Sequence, residues 1–266
     1  MSYEKYSEKK SFPWLLIITF VLVITAVVFV ILAFGGQLGS LFKKDDKKSA
    51  ETTSSISSQQ DSQEVEKLVK EPEDSWRLLL VNFENSSGVG FKPPELADIN
   101  DTVQVDSRMV VQLKDMIATA RKEQCFLEVI SGFRTYEKQT VLYNQEVKEH
   151  KAEGKSQEVA EADAAKEVAK PGYSEHITGL AIDIVYGNWY KQYTQPNEHF
   201  AESKEFEWLQ DHAHEYGFIM RFAKDKTDIT GVSYEPWHYR YVGVKNATAI
   251  KEEGITLEEY LKKFQE

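Results

Sequence analysis

Cysteine is nearly missing from this chain of 266 residues: Cys125 is its one thiol. An internal disulfide is therefore excluded, as is a zinc site built on Cys-x-x-Cys pairs. A lipid-modified cysteine just after the apolar N-terminal block is excluded too. The lack of disulfides fits an exported protein without demonstrating one. Positive charge is also short, with 32 Lys and Arg against 43 Asp and Glu, a net charge of −11. Phosphate binding needs a basic surface, so nucleic acid is not an expected partner. The acidic balance reads as ordinary solubility. No internal repeat is visible, and nothing in the sequence predicts a protein partner.

Charge is wholly absent from Trp14 to Phe34, where only Thr19 and Thr25 interrupt an apolar run. Its 21 residues reach about 31 Å as a helix, matching a bilayer core of about 30 Å. A cleaved signal peptide or a buried helix are the alternatives. A signal peptide has a shorter apolar core and a small-x-small cleavage site, whereas Gly35–Gly36 leads into no Ala-x-Ala. The expected organisation is a short tail over 1–13, a single transmembrane anchor over 14–34, a flexible polar linker over 35–74 and a folded domain over 75–266. The linker, with SAETTSSISSQQDSQEVEK at its centre, has too few apolar residues to offset the entropy of ordering. Lysines flank the apolar run on both sides (Lys5, Lys9 and Lys10; Lys43, Lys44, Lys47 and Lys48). The positive-inside rule therefore does not place the short N-terminus inside.

Folded character begins near Trp76. Leu78–Val81 predicts a short strand or buried segment. Asp106–Lys122 has helical spacing, with Met109, Leu113, Met116 and Ile117 on one face. Phe126–Ile130 reads as a strand ended by Ser131–Gly132. Tyr136 to about Lys148 reads as a helix with Thr135 as N-cap. Lys155–Lys170 is rich in helix formers and is stopped by Pro171–Gly172. Leu180–Val185 is a strand. Glu202–Tyr216 is a helix closed by Gly217, Trp237–Val242 a last strand and Thr256–Phe264 a terminal helix. Helices and strands mix without regular βαβ alternation, so the expected class is α+β.

Two segments carry candidate chemistry. In SEHITGLAIDI, Ser174–Ile184, the strand pattern places Leu180, Ile182 and Ile184 on one face and Asp183 on the other. A carboxylate among apolar neighbours is costly to bury unless something pairs with it. His176 lies across a turn containing Gly179 that can fold it back beside Asp183. Taken alone, the pair reads more readily as a capping aspartate and an unrelated histidine than as metal ligands. In YEPWHYRYVG, Tyr234–Gly243, the aromatics Trp237, Tyr239 and Tyr241 alternate with His238 and Arg240. Glu235 and His238 face oppositely in an ideal strand, but a bend at Pro236 lets both approach one site. Alone, these read equally well as a surface glutamate and a core histidine. Together, two histidines and an aspartate give three ligands and leave a tetrahedral position open, the arrangement of a catalytic zinc. Glu235 is then a general base. Aspartate as a hard donor leaves Mn or Fe open by ligand type. In a third segment, SGFRTYEKQ, Arg134 follows a strand and a glycine turn, where its fork of donors can hold a carboxylate or a developing oxyanion; most arginines instead pair with a surface neighbour. Among the other histidines, His150 and His199 lie in polar stretches and read as solvated. The pair His212 and His214 projects from different sides of a helix and does not share a metal, and Trp208, Leu209, His212 and Tyr216 read as a core-facing stripe.

SGFRT, SEHITGLAIDI and YEPWHYRYVG, in this order, resemble the VanY-type D-alanyl-D-alanine carboxypeptidases, a group that includes the LdcB-type L,D-carboxypeptidases. The resemblance runs from about Trp76 to the C-terminus. It implies a small antiparallel sheet carrying one Zn2+ held by His176, Asp183 and His238, with Glu235 as the catalytic base. Arg134 matches the family arginine that contacts substrate and helps stabilise the tetrahedral intermediate. Gln139 and Ser174 match positions that contact the D-alanine end in LdcB-like relatives. Ile177 stands where many relatives have glutamine. The implied substrate is a peptidoglycan stem peptide ending in D-alanine, with D,D-carboxypeptidase activity favoured over L,D-carboxypeptidase activity on tetrapeptides. Peptidoglycan lies outside the membrane, which places the domain outside a single-pass cell-membrane anchor. A non-catalytic zinc module binding wall fragments is the rival of another class, and the presence of Glu235 argues against it.

Overall fold

The computed structural model describes residues 75–264. The expected tail, anchor and linker lie outside the described residues. Among the described residues, no helix is long and apolar enough to cross a membrane. The expected α+β class is observed. A two-stranded antiparallel ribbon, β1 (Leu96–Asp98) and β2 (Gln104–Asp106), precedes helix α1 (Val110–Lys122). Strand β3 (Leu127–Ser131) leads into a helical hairpin, α2 (Tyr136–Ala152) and α3 (Gln157–Glu167). Then come β4 (Ala181–Tyr186), α4 (Lys204–His212), β5 (Phe218–Phe222), the single turn α5 (Thr227–Thr230), β6 (Glu235–Tyr241), α6 (Val244–Glu253) and α7 (Leu257–Lys262). The four longer strands form one antiparallel sheet in the order β3-β4-β6-β5.

The two faces of this sheet have opposite characters, because side chains alternate along each strand. One face carries Ile182, Ile184, Tyr239 and Tyr241 into the main core, where Met109, Leu113 and Met116 cover them. These three are fully buried, each contributing about 1.5–3 kcal/mol relative to exposure. The other face carries Asp183 opposite His238, and Ala181 opposite Arg240. A smaller core of Ile219, Val242, Ala247, Ile250, Leu257 and Tyr260 continues the sheet toward α6 and α7. The sheet therefore holds an apolar layer on one side and places a polar layer in the interior on the other.

Several elements differ from their sequence reading. Of the two readings of Leu78–Val81 the buried segment holds, with Leu78 and Val81 buried; no strand forms there, and a 3-10 turn over Ser75–Leu78 precedes it. The helix expected from Asp106 starts only at Val110, because Asp106 closes β2 and its carboxylate accepts from Arg108 N at 3.0 Å. The Ala-rich helix ends at Glu167, three residues short of the expected stop, where Val168 turns extended. The expected helix over 202–216 is divided into 3-10, α and 3-10 pieces, although Gly217 does close it in the left-handed region. Residues 218–222, FIMRF, form a strand that sequence reading passed over, as were β1, β2 and α6. Thr135 caps α2 as expected, accepting from Lys138 N at 3.1 Å.

Gly179 is the pivot between β2 and the turn bearing His176. Its φ is +70°, its N–H donates to His176 O at 3.1 Å and its carbonyl accepts from Asp106 N at 2.9 Å. A Cβ there would lie 2.9 Å from Asp106 N. Gly179→Ala combines left-handed strain with this clash and is expected to cost about 1–3 kcal/mol. Urea unfolding reads this as a lower midpoint, and an unchanged midpoint would show that the turn relaxes freely.

Candidate metal centre

The polar face of the sheet positions two of the three expected ligands directly. Asp183 on β4 and His238 on β6 are cross-strand partners, so their side chains emerge side by side on one face. His176 comes from a 3-10 turn, Glu175–Thr178, immediately before β4. The ligand atoms of His176, Asp183 and His238 all lie within 4.8 Å of one another. Asp183 is central: its Oδ2 is 3.3 Å from His176 Nε2 and its Oδ1 is 3.1 Å from His238 Nδ1. All three residues are buried.

The hydrogen bonds behind the rings decide which nitrogens face inward. His176 Nδ1 donates to the Gly132 carbonyl at 2.7 Å, which leaves the Nε2 lone pair toward Asp183. His238 Nε2 donates to Glu175 Oε1 at 3.1 Å, which leaves Nδ1 toward Asp183. As neutral rings, both imidazoles would turn acceptor atoms toward a carboxylate. Such a convergence needs a proton or a cation between the groups, and outer partners of this kind orient metal-binding histidines. Two imidazoles and one carboxylate fit zinc with a fourth position left open.

Glu175 is the residue that sequence reading missed. It is buried, and besides His238 it accepts from Arg221 Nε and Arg240 Nη1, each at 3.1 Å. Arg221 in turn forks onto Glu258 at 2.6 and 2.9 Å, and Asn82 donates to the same carboxylate at 2.9 Å. Arg240 also donates to the carbonyls of Arg77 and Leu79 at 3.0 and 2.8 Å. The signal in the sequence was the alternation that puts Arg240 on the face of His238. The partners in β5 and α7 gave no local sign.

Arg134 follows the Ser131–Gly132 turn. Its N–H donates to His176 O at 3.1 Å and that of Phe133 donates to Gln104 O at 2.6 Å. A Cβ on Gly132 would sit 2.3 Å from Gln104 O, so only glycine permits this threading. The Arg134 guanidinium is held by Gln139 Oε1 at 2.9 Å and Ser131 Oγ at 3.1 Å, with Nη2 3.6 Å from Asp183 Oδ2. Gln139 is buried and its amide donates to Ala169 O at 2.6 Å, so in this state it braces Arg134. Glu235 reaches the cluster as the bend at Pro236 anticipates. It lies inside the strand rather than before it, and β6 carries extra residues relative to β5 between the Phe222–Glu235 and Met220–Tyr239 pairs. This bulge puts Glu235 Oε2 3.5 Å from His238 Nδ1. Proline inside an interior strand is tolerated at such a bulge. Arg134, Gln139, Ser174, Glu235, Trp237 and the three ligands all line one cavity of about 680 Å3. Of the other histidines, His150 is buried, not solvated, because α3 folds back over it. The expected stripe on α4 is mixed: Trp208 and Leu209 are buried, while His212 is partly exposed.

Burial dominates the electrostatics, and the neighbours decide its outcome. Burial alone would raise the Glu175 carboxyl, but Arg221, Arg240 and His238 outweigh it and hold it well below the usual range. Asp183 is likewise held low by His176 and His238 against its burial. Burial and Arg134 keep His176 below its ordinary value. Glu235 moves the other way, pushed up to about 8 by burial, with Asp183 adding to the rise and His238 and Arg134 opposing it. Burial disfavours the His238 imidazolium, yet Asp183 and Glu175 on either side push it to about 10.

Residues 102–244 match the VanY family model, described as D-alanyl-D-alanine carboxypeptidase. A D-alanyl-D-alanine carboxypeptidase of Enterococcus faecalis (strain ATCC 700802 / V583) is 40% identical over 189 residues, 71% of this chain and 67% of that protein. Two solved structures superpose with a TM-score of 0.62 at 41% identity, each covering 70% of this chain. One is a variant of the vancomycin resistance D,D-pentapeptidase VanY from a VanB-type cassette in complex with Zn(II), 99% covered. The other is VanYB in complex with D-alanine-D-alanine, 98% covered.

With no metal bound, the raised pKa of His238 keeps a proton on that ring at neutral pH. Metal and proton then compete for Nδ1, so capture of zinc releases at least one proton. Zinc affinity is expected to rise at least about tenfold per pH unit between about pH 6 and 8. Calorimetry in buffers of different ionisation enthalpy measures the proton count, and pH-independent binding without proton release would contradict it.

Proposed function

The chain belongs to the VanY family of D-alanyl-D-alanine carboxypeptidases, and from that membership and its site we propose that it removes the terminal D-alanine of peptidoglycan stem peptides. It is a zinc metallopeptidase. The observation that carries the proposal is the position of Glu235, a carboxyl on a bulged strand beside a three-ligand cluster and inside the same cavity. Bound by His176, Asp183 and His238, zinc supplies Lewis acidity that polarises a carbonyl and lowers the pKa of water.

Each protein group then has a defined task. Glu235 takes the proton of the attacking water and returns it to the leaving amine. Burial raises its carboxyl, and a cation bound beside it would lower it again, toward the range in which one group can do both. Arg134, fixed by Ser131 and Gln139, offers charge-assisted donors to the negative oxygen that develops or to the terminal carboxylate. Ser174 lies on the cavity wall beside His176 and contributes to the same end. Gln139 acts on the peptide chiefly through Arg134, since both ends of its amide are engaged by the protein.

The preference for a D,D bond is supported by the VanYB relative with D-alanine-D-alanine. The length and apolarity of residues 14–34 support a single-pass membrane anchor with the domain outside, next to its substrate. Residues 35–74 are proposed as the tether.

Digestion of purified muropeptides, with products weighed, tests the reaction. Pentapeptide stems should lose one D-alanine, and stems amidated at the C-terminus should resist because the charge for Arg134 is gone. Principal cleavage of internal bonds or cross-links would make it an endopeptidase, and faster loss from tetrapeptides would make it an L,D-carboxypeptidase.

A further inference from the structure

The α2–α3 hairpin closes over a small apolar contact of Val147, Ala160, Ala164 and Tyr143. Beside that contact, His150 is 7% exposed although the sequence around it is polar. Its Nε2 is buried and, among the described residues, has no hydrogen-bond partner. The nitrogen points between two carboxylates: Glu146 Oε1, one turn earlier on α2, is at 3.7 Å, and Glu167 Oε1, at the end of α3, is at 3.6 Å. These separations exceed the 2.7–3.2 Å range of a hydrogen bond. They are close to the roughly 3.4 Å that separates two ligands of one tetrahedral ion at about 2.1 Å. The three ligand atoms lie within 4.8 Å of one another, as do those of His176, Asp183 and His238.

We propose that Glu146, His150 and Glu167 form a second divalent-cation site, bridging α2 and α3. One imidazole and two carboxylates suit zinc or manganese. The negative charge gathered here supports a cation: burial, followed by Glu167, Glu149 and Glu153, raises the Glu146 carboxyl. On the other side of the ring Lys155 donates to Nδ1 at 2.8 Å, which leaves the proton of a neutral ring on Nε2, and Lys155 is shared with Glu153 and Asp163 at 3.1 Å each. A cation at Nε2 replaces that proton, so the ring carries its one proton on Nδ1 and Lys155 withdraws from it. Lys155 then stays with Glu153 and Asp163.

The site has a consequence for the cleft. Glu146 and Glu167 line the same cavity as the catalytic cluster. A cation there pins the two helices that form one wall and removes negative charge from the path of the peptide. The inference does not rest on the proposed reaction.

Equilibrium dialysis of the full chain against micromolar zinc, with metal counted per protein, tests it. Wild type should hold two equivalents, and His150→Ala and Glu167→Gln one each. Glu167 is 55% exposed, so its variant leaves the fold intact and guards against misfolding of the other. His176→Ala should also hold one, and that one should vanish in the His150→Ala/His176→Ala double variant. A single wild-type equivalent that survives both His150→Ala and Glu167→Gln, or two equivalents in either variant, overturns the second site. A single equivalent lost in His150→Ala but kept in His176→Ala would support it and fault the catalytic ligand set instead.

Discussion

A buried carboxylate at the back of the metal cluster, that of Glu175, joins the site to most of the domain. A lone carboxylate in such a place would take up a proton or unfold its surroundings, because desolvation of an ion costs several kcal/mol. Arg221, Arg240 and His238 all satisfy it. Through Arg221 it is tied to Glu258 in α7 and to Asn82, and through Arg240 to the chain at Arg77 and Leu79. Deleting one member of such a network leaves the others buried and unpaired, typically at about 3–5 kcal/mol. The orientation of His238 therefore depends on segments at both ends of the described chain.

The sheet separates two kinds of work. Its apolar face packs on α1 and gives cohesion without direction. Its polar face uses the same alternation to set Asp183 opposite His238, where a one-residue slip would turn both into the core. Two irregularities then aim groups that regular strands would send elsewhere. The shift between β3 and β4, near Val129 and Ser131, precedes the turn that delivers Arg134. The bulge in β6 delivers Glu235. Catalytic groups on bulges next to a rigid sheet are held firmly while remaining open to the cleft.

What the sequence revealed follows the range of the interactions. His176, Asp183, Glu235 and His238 were legible because strand alternation and two turn-forming residues, Gly179 and Pro236, act over short spans. The α+β class and the capping of α2 were legible for the same reason. Glu175 stands next to Ser174 and His176 in the sequence, yet it went unnoticed because its partners lie 46 and 65 residues away. His150 was misread because its polar neighbours in sequence are not its neighbours in space; α3 covers it. Strand β5 was passed over because FIMRF is short and follows Gly217 without a turn of its own, and only pairing with β6 makes it a strand.

The proposed reaction depends on Glu235 as a proton carrier that is not a ligand. Glutamine has nearly the same shape but cannot take up the proton, so Glu235→Gln should keep the fold and the zinc of the catalytic cluster. Its turnover on pentapeptide stems should fall by roughly 10²–10⁴. Metal content and turnover measured on one purified sample decide the matter. Loss of zinc would make Glu235 a ligand and the three-ligand centre wrong, and wild-type turnover with zinc retained would place the base elsewhere.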